Sequence, residues 1–314
     1  LGRRQPFILA GILFAGGGAL IMGLAGGAPA LIVGRAITGL AASAWVPMVA
    51  IFSALFPPQE AVRASALLTL AGSLGRLLAT GVTGALNAWG GYPLAFFVAV
   101  GAAGLALLVL LPAREPFRPS QRPSPRGIGR LIGRQDVLLP SLLGAVSQYA
   151  NYAITFGFLP VLARQLGAGD MAQSLLITLT IGVVTLGNLL ATTLAKQVGE
   201  RRLVSGSFAL LAVGIGAAAL APSLPFVFLA QVCVGVSQGV GYPVLMGLSI
   251  QRVRDAERTT AMGIHQAVYA VGMFAGPWLS GMLADGLGLR PMFWITAAGC
   301  LALGLVGTRH LQTS

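Results

Sequence analysis

The sequence contains few charged residues, few acids and almost no cysteine. Of its 314 residues, 9% are charged, eight are Asp or Glu and two are Cys. A soluble domain carries roughly 25% charged residues, so the composition argues against a soluble globular protein. Two cysteines cannot build a disulfide framework or a cysteine-rich metal site. The sequence also lacks a phosphate-binding loop and a catalytic triad, and it predicts no enzyme, no metal and no cofactor.

Most of the sequence is apolar. The chain is 56% hydrophobic, with a mean hydropathy of +0.84. Ten apolar runs of roughly 19–28 residues are each long enough to cross a bilayer as a helix. Their approximate limits are 5–25, 29–56, 63–86, 91–112, 137–163, 171–195, 203–221, 224–250, 259–284 and 290–308. We therefore predict an all-α integral membrane protein with ten transmembrane helices, surrounded by the lipid bilayer.

The basic residues between these runs indicate the orientation. Sixteen of them fall on one side of the predicted membrane, and only Arg164 and Arg290 fall on the other. Because basic loops stay in the cytoplasm, both chain ends are predicted to be cytoplasmic, with the protein in the inner (plasma) membrane. The net charge of +12 then reflects orientation signals, and no nucleic-acid partner is predicted.

The sequence contains an internal repeat. Segments 39–47 and 235–243 each begin with Gly and end with Pro, and both lie inside apolar runs. Other matches keep the same offset of 196–197 residues and pair 1–112 with 198–309. Two similar membrane halves of this kind are typical of transporters whose substrate binds near the midplane.

The repeat also predicts the domain organisation. Two further runs, 137–163 and 171–195, precede the second copy, whereas none precedes the first. We expect a truncated four-helix half-bundle over 1–112, an extended, cytoplasmic Pro- and Arg-rich linker over 113–136, and a six-helix half-bundle over 137–314. The expected parent has twelve helices in two pseudo-symmetric halves.

Four short segments carry glycine and arginine in a recurring arrangement. They are Gly2-Arg3-Arg4; Gly199-Glu200-Arg201-Arg202; Gly34-Arg35 followed by Gly39; and Gly272 to Gly276-Pro277 followed by Gly281. With the repeat, these motifs resemble the major facilitator superfamily over the whole chain. The resemblance implies transport by alternating access and gating roles for the motif residues. The chain differs from the family pattern at Lys196, where Asp is usual, and at Thr80, where proton-driven exporters have Pro.

Two arginines and one histidine lie inside the apolar runs. A cation at this depth costs about 2.5–3.5 kcal/mol on insertion scales. Arg76 is therefore predicted to face a cavity, and Arg35 either does the same or extends to the membrane surface. All eight acids lie in loops or at run ends. His265 is consequently the candidate for proton coupling, with a purely structural histidine as the alternative.

Uncharged polar side chains cluster on a few helical faces. Tyrosines and amides on such faces suit a neutral or amphipathic organic substrate; the alternative is hydrogen bonding between helices, worth only ~0.6 kcal/mol on average. The predicted substrate-binding residues are Arg76, Gln148, Asn151, Tyr152, Gln238, Tyr242, His265 and Gln266.

These observations predict a monomeric secondary transporter that moves a small organic molecule. Export is slightly favoured over uptake, and protons are the candidate coupling ion. The alternative is a non-transporting sensor or a partner-binding subunit on the same scaffold, or an inactive fragment. A membrane enzyme is disfavoured because the apolar runs contain no carboxylate.

Overall fold

A computed structural model describes residues 5–53, 61–113 and 125–311. These residues form helices and short connections, and none of them lies in a strand. The chain divides into two compact units, Leu1–Arg122 and Pro123–Ser314. Each unit is described by itself.

The described residues of the first unit form four α-helices. They are α1 (Gln5–Gly23), α2 (Ala28–Ala41), α3 (Trp45–Ser53) and α4 (Ala61–Leu110), with a 3₁₀ turn at Ala42–Ala44 between α2 and α3. The backbone of α4 breaks at Gly91, whose φ is 71°. Pro93 lies two residues later and removes a helical N–H donor. Two of the predicted apolar runs therefore meet at this kink.

Glycine allows α1 and α2 to cross closely. A methyl group on Gly18 would lie 2.6 Å from the carbonyl oxygen of Gly34, and one on Gly34 would lie 2.8 Å from the carbonyl oxygen of Gly18. Backbone contact of this kind is how membrane helices pack without a hydrophobic driving force between them.

In the part of the second unit that the structure describes, there are eight α-helices and one π-helix. They are α5 (Pro125–Ile132), α6 (Gln135–Ala150), the π-helix (Asn151–Phe158), α7 (Leu159–Gln165), α8 (Asp170–Val198), α9 (Glu200–Leu220), α10 (Leu224–Gln251), α11 (Asp255–Leu287) and α12 (Leu289–Arg309). Pro160 lies just after the π-helix. Its ring would clash with the carbonyl four residues earlier in a regular α-helix, which accounts for the wider turn before it.

Small residues also bring the helices of the second unit together. A methyl group on Gly187 in α8 would lie 2.9 Å from the Cα of Gly239 in α10, and one on Gly214 in α9 would lie 3.0 Å from the carbonyl oxygen of Ala230 in α10. The core between these helices is apolar and includes Ile154, which has no exposed surface.

The linker departs from the prediction of an extended segment over 113–136. Residues Pro125–Ile132 form α5, and Leu131 is only 1% exposed because it packs in a cluster with Val137, Val253 and Ala261. The prediction of an extended segment is wrong for this stretch. It followed from the prolines and overlooked the apolar residues that hold α5 in place. Residues 114–124 lie outside the described residues.

Among the described residues, seven helices are long and apolar enough to cross a membrane, and Ala28–Ala44 is a shorter apolar segment. Large apolar side chains such as Leu189 (69% exposed) and Phe274 (73%) lie on their surfaces, as expected where lipid replaces water. The count of ten transmembrane helices stays a prediction.

Candidate functional site

Three helices of the second unit, α6, α10 and α11, hold most of the predicted site residues. Glycines bring α11 against α6: a methyl group on Gly276 would lie 2.5 Å from the carbonyl oxygen of Tyr149, and one on Gly272 would overlap the carbonyl oxygen of Ala145. The hydroxyls of Tyr149 and Ser280 lie 3.0 Å apart and add a hydrogen bond to this contact. The predicted motif glycines therefore set the spacing of the helices that bear the site.

Gln238 is bonded on both sides of its amide. Its Nε2 donates to the backbone oxygen of Ser147 over 3.0 Å, and its Oε1 accepts from the Ser147 hydroxyl over 3.1 Å. The side chain is buried. In this arrangement Gln238 joins α10 to α6, and Ser147 is a partner that the sequence analysis did not single out.

The ring of His265 packs with the rings of two tyrosines. The centroid of its ring is 6.0 Å from that of Tyr242 and 5.7 Å from that of Tyr269. Its Nδ1 lies 3.1 Å from the hydroxyl oxygen of Ser141, while its Nε2 is buried without a hydrogen-bond partner among the described residues. A methyl group on Gly144 would lie 3.1 Å from the Cε1 of His265, so glycine leaves room for the ring.

The remaining predicted residues of α6 and the π-helix pair locally. Asn151 Nδ2 donates to Gln148 Oε1 over 3.1 Å, and the ring of Tyr152 lies 5.3 Å from that of Phe156. Gln148, Asn151 and Tyr152 are half-buried, as is Gln266 on α11. These residues keep part of their surface exposed, whereas Gln238 is buried.

Sequence reasoning missed a buried polar junction at Gln231. This residue of α10 has no exposed surface. Its Nε2 donates to the hydroxyls of Thr155 in the π-helix and Thr180 in α8. Its Oε1 is buried and has no partner among the described residues. The signal was available, because Gln231 lies on the same face as Gly235 and Gln238 in an otherwise apolar helix.

Arg76 and Arg35 belong to the first unit. Both are exposed, and Arg76 Nε donates to the carbonyl oxygen of Gly72, one turn earlier in α4, over 3.4 Å. Gly39, on α2, has open space where a side chain would be. Gly2, Arg3 and Arg4 lie outside the described residues.

The second copy of the glycine–arginine motif lies between α8 and α9. Gly199 joins the two helices with a φ of 88°. A cavity of about 690 Å³ opens here, lined by Lys196, Glu200, Arg201 and Arg202 with residues of α8 and α10. The cavity lining includes motif residues but none of the predicted substrate-binding residues.

Two motif residues lie further along α11. Pro277 lies inside this helix, and a methyl group on Gly281 would lie 3.7 Å from the ring of Phe158. Among the described residues, no three His, Cys, Asp or Glu side chains come close enough to hold a metal ion.

The sequence profile of the Major Facilitator Superfamily matches residues 1–145 and 141–312. The chain is 27% identical to the multidrug resistance protein MdtH of Aeromonas salmonicida (strain A449), over 98% of this chain and 77% of that protein. It is 29% identical to the multidrug resistance protein Stp of Mycobacterium tuberculosis (strain ATCC 25618 / H37Rv), over 54% of this chain and 32% of Stp.

Solved structures share the fold. A bacterial homologue of the human lysosomal transporter Spinster, inward-facing and unoccupied, has a TM-score of 0.83 at 17% identity, over 98% of this chain and 83% of that one. The transporter FucP in the outward conformation has a TM-score of 0.67 at 14% identity, over 99% and 84%. At these identities, the likeness concerns the fold alone.

Proposed function

Because the chain belongs to the major facilitator superfamily, we propose that it is a secondary active transporter that moves a small organic molecule by alternating access. The observation that carries this proposal is the concentration of half-buried polar side chains on α6, the π-helix, α10 and α11, in a bundle whose outer surface is apolar. Polar faces in membrane helices mark a pathway or a helix contact, and several of these side chains keep exposed surface.

The substrate class follows from the chemistry of these faces. Gln148, Asn151 and Tyr152 offer uncharged amide and phenol groups. Tyr242 adds an aromatic ring to this set. Such groups suit a neutral or amphipathic organic molecule with aromatic parts. Export is the favoured direction, and the multidrug-resistance names of the two relatives agree with it.

Protons are the proposed coupling ion, with His265 as the group that takes them up. It is a fully buried imidazole whose Nε2 has no hydrogen-bond partner among the described residues. Imidazole changes charge near neutral pH, and no acid lies within the predicted membrane runs. If both ring nitrogens of His265 made hydrogen bonds, a purely structural role would be favoured instead.

Transport assays test the proposal. Cells or proteoliposomes with the protein should lower the accumulation of a fluorescent amphipathic dye. Asn151→Leu and Tyr242→Phe should reduce that transport several-fold at unchanged abundance, and Arg76→Gln should reduce it further. Gln238→Leu is the informative comparison, since its amide already bonds Ser147, and it should lower abundance instead. Parental transport in the first three variants would overturn the site, and absence of dye transport would favour a sensor or partner-binding subunit.

The proposed topology has ten membrane crossings with both ends in the cytoplasm. It places the α8–α9 connection inside and the α9–α10 connection outside. After Cys233 and Cys300, the two native cysteines, are replaced by Ala, a membrane-impermeant maleimide should label Pro222→Cys in intact cells. It should label Gln197→Cys only after permeabilisation. The reverse pattern would contradict the orientation.

A further inference from the structure

The hydrogen bonds around His265 determine which of its nitrogens carries the proton. The Ser141 hydroxyl lies one turn after Val137 in α6 and donates its single hydrogen to the Val137 carbonyl oxygen over 2.6 Å. A hydroxyl has one hydrogen to donate. Toward His265 Nδ1, at 3.1 Å, the Ser141 oxygen can therefore only accept, and Nδ1 must be protonated.

A neutral imidazole with hydrogen on Nδ1 has its lone pair on Nε2. This atom is buried and makes no hydrogen bond to the described residues. Burying an acceptor without a partner costs free energy, so its presence calls for a reason. We propose that Ser141 is a positioning residue: it fixes the Nδ1–H tautomer of His265 and thereby reserves Nε2 as the atom that takes up the transported proton. This inference rests on the proposed proton coupling.

The surroundings of the ring fit one site of proton uptake. α6 contributes Ser141 and Gly144, α10 contributes Tyr242, and α11 itself contributes Tyr269. The two phenols are the titratable groups in ring contact with His265 among the described residues of this unit. The ion pairs among the described residues of this unit join residues at the ends of the helices or between them, and none of them includes His265.

Proton uptake leaves the hydrogen bond between His265 Nδ1 and Ser141 in place. A proton that enters forms an N–H bond at Nε2 and gives an imidazolium, while Nδ1–H continues to donate to the Ser141 oxygen. Release breaks the Nε2–H bond and restores the neutral ring in the same tautomer. The Ser141 hydroxyl therefore need not rotate when the ring becomes charged. It also stabilises the imidazolium, because hydrogen bonds that involve a charged group are the stronger ones.

Nuclear magnetic resonance tests the tautomer directly. The chain has two histidines, His265 and His310, so ¹⁵N-histidine labelling gives two imidazoles, and His310→Gln removes one of them. At neutral pH, His265 should show a protonated Nδ1 and an unprotonated Nε2. Ser141→Ala, which is close in volume, should mix the two tautomers. Ser141→Thr should restore the parental spectrum, because a Thr hydroxyl can also bond the preceding turn.

Transport as a function of pH provides the second measurement. Ser141→Ala should move the pH of half-maximal transport about one unit lower, because the charged ring loses an acceptor; Ser141→Thr should keep the parental profile. An Nε2–H tautomer in the parent, or an unchanged tautomer in Ser141→Ala, overturns the proposal. An unshifted pH profile in Ser141→Ala also overturns it, even if the parent shows the expected Nδ1–H tautomer. Transport that is independent of pH in the parent contradicts the coupling instead, and the spectrum still reports the tautomer.

Discussion

Gly91 and Gly288 share an unusual backbone conformation and lie 197 residues apart. Their φ angles are 71° and 94°, with ψ of 177° in Gly91 and 162° in Gly288. This region of φ and ψ is essentially restricted to glycine. Gly91 lies at the kink of α4 and Gly288 caps the start of α12, and Pro93 and Pro291 follow them two and three residues later. The separation equals the offset of the sequence repeat, so the same turn occurs at equivalent positions.

A second pair of contacts has the same relation. The approach of Gly18 to the carbonyl oxygen of Gly34 in the first unit is matched by the approach of Gly214 to that of Ala230 in the second. Both partners are shifted by 196 residues. Two pseudo-symmetric halves would produce this agreement in local packing, and that organisation stays a prediction.

Replacing Gly288 with Ala is predicted to destabilise the second unit. A side chain at this φ and ψ is strained, at a cost of order 1–3 kcal/mol, and the turn between α11 and α12 would distort. Thermal unfolding in detergent should show a lower midpoint. Gly286→Ala is the matched control, because it lies in the last turn of α11 with open space around it. Equal midpoints in the two variants would contradict the argument.

Gly272→Ala is predicted to weaken the contact of α11 with α6. The added methyl group would overlap the backbone of Ala145, and backbone cannot move aside as a side chain can. Overpacking typically costs 1–3 kcal/mol. Gly263→Ala on the same helix meets no atom within 4 Å and should unfold at the parental temperature or slightly above it. A Gly272→Ala protein as stable as this control would show that the helices are not packed through Gly272.

The sequence predicted the helical, membrane-spanning class because apolar length and charge placement are local properties. The charge rule placed Arg164 and Arg290 on the side opposite to the other loop arginines, and the orientation itself stays a prediction. Arg290 donates to the carbonyl oxygens of Ala219 and Ala221 at the end of α9, each over 3.0 Å, and Arg164 lies 3.9 Å from Asp170. Both arginines therefore have partners in the structure.

The polar residues could not be divided into roles from the sequence. Gln148 and Gln238 read alike as amides on polar faces, yet Gln238 bonds Ser147 from another helix and Gln148 bonds Asn151 on its own segment. The difference depends on which serine lies opposite, and this is set by helix packing. Ser141 was missed for the same reason, since its apolar neighbours in α6 give no periodic polar signal.

Leu131→Ala tests whether α5 is part of the second unit. Leu131 is 1% exposed in its cluster, and truncating a buried leucine costs about 2–5 kcal/mol. The variant should unfold at a lower temperature and be cut more readily by protease near α5. Ile132, the next residue, is 45% exposed, so Ile132→Ala should behave as the parent. If both variants match the parent, the segment is a free linker as the sequence first indicated.

Asp136→Asn should remove a pH-dependent contribution to stability. Arg134 donates to both carboxylate oxygens of Asp136, over 3.0 and 2.6 Å. These bonds, opposed by partial burial, hold the pKa of Asp136 below its ordinary value. A carboxylate with a lowered folded-state pKa stabilises the protein above the unfolded pKa, and the effect disappears as the pH falls through the folded value. The expected loss at neutral pH is about 0.5–1 kcal/mol, as for a well-aligned surface pair.

The measurement is the unfolding midpoint of parent and Asp136→Asn between about pH 7.5 and pH 3, since an unfolded Asp titrates at about 3.9. The difference between them should stay constant near neutrality and vanish only in acid. Asp285→Asn is the control: Asp285 is exposed in α11, three residues before the Gly288 turn, where a negative charge meets the unfavourable end of the helix dipole. Its removal should leave stability unchanged or slightly raised at neutral pH. A difference for Asp136→Asn that persists unchanged at the lowest pH would mean that the side chain acts by shape and not by charge.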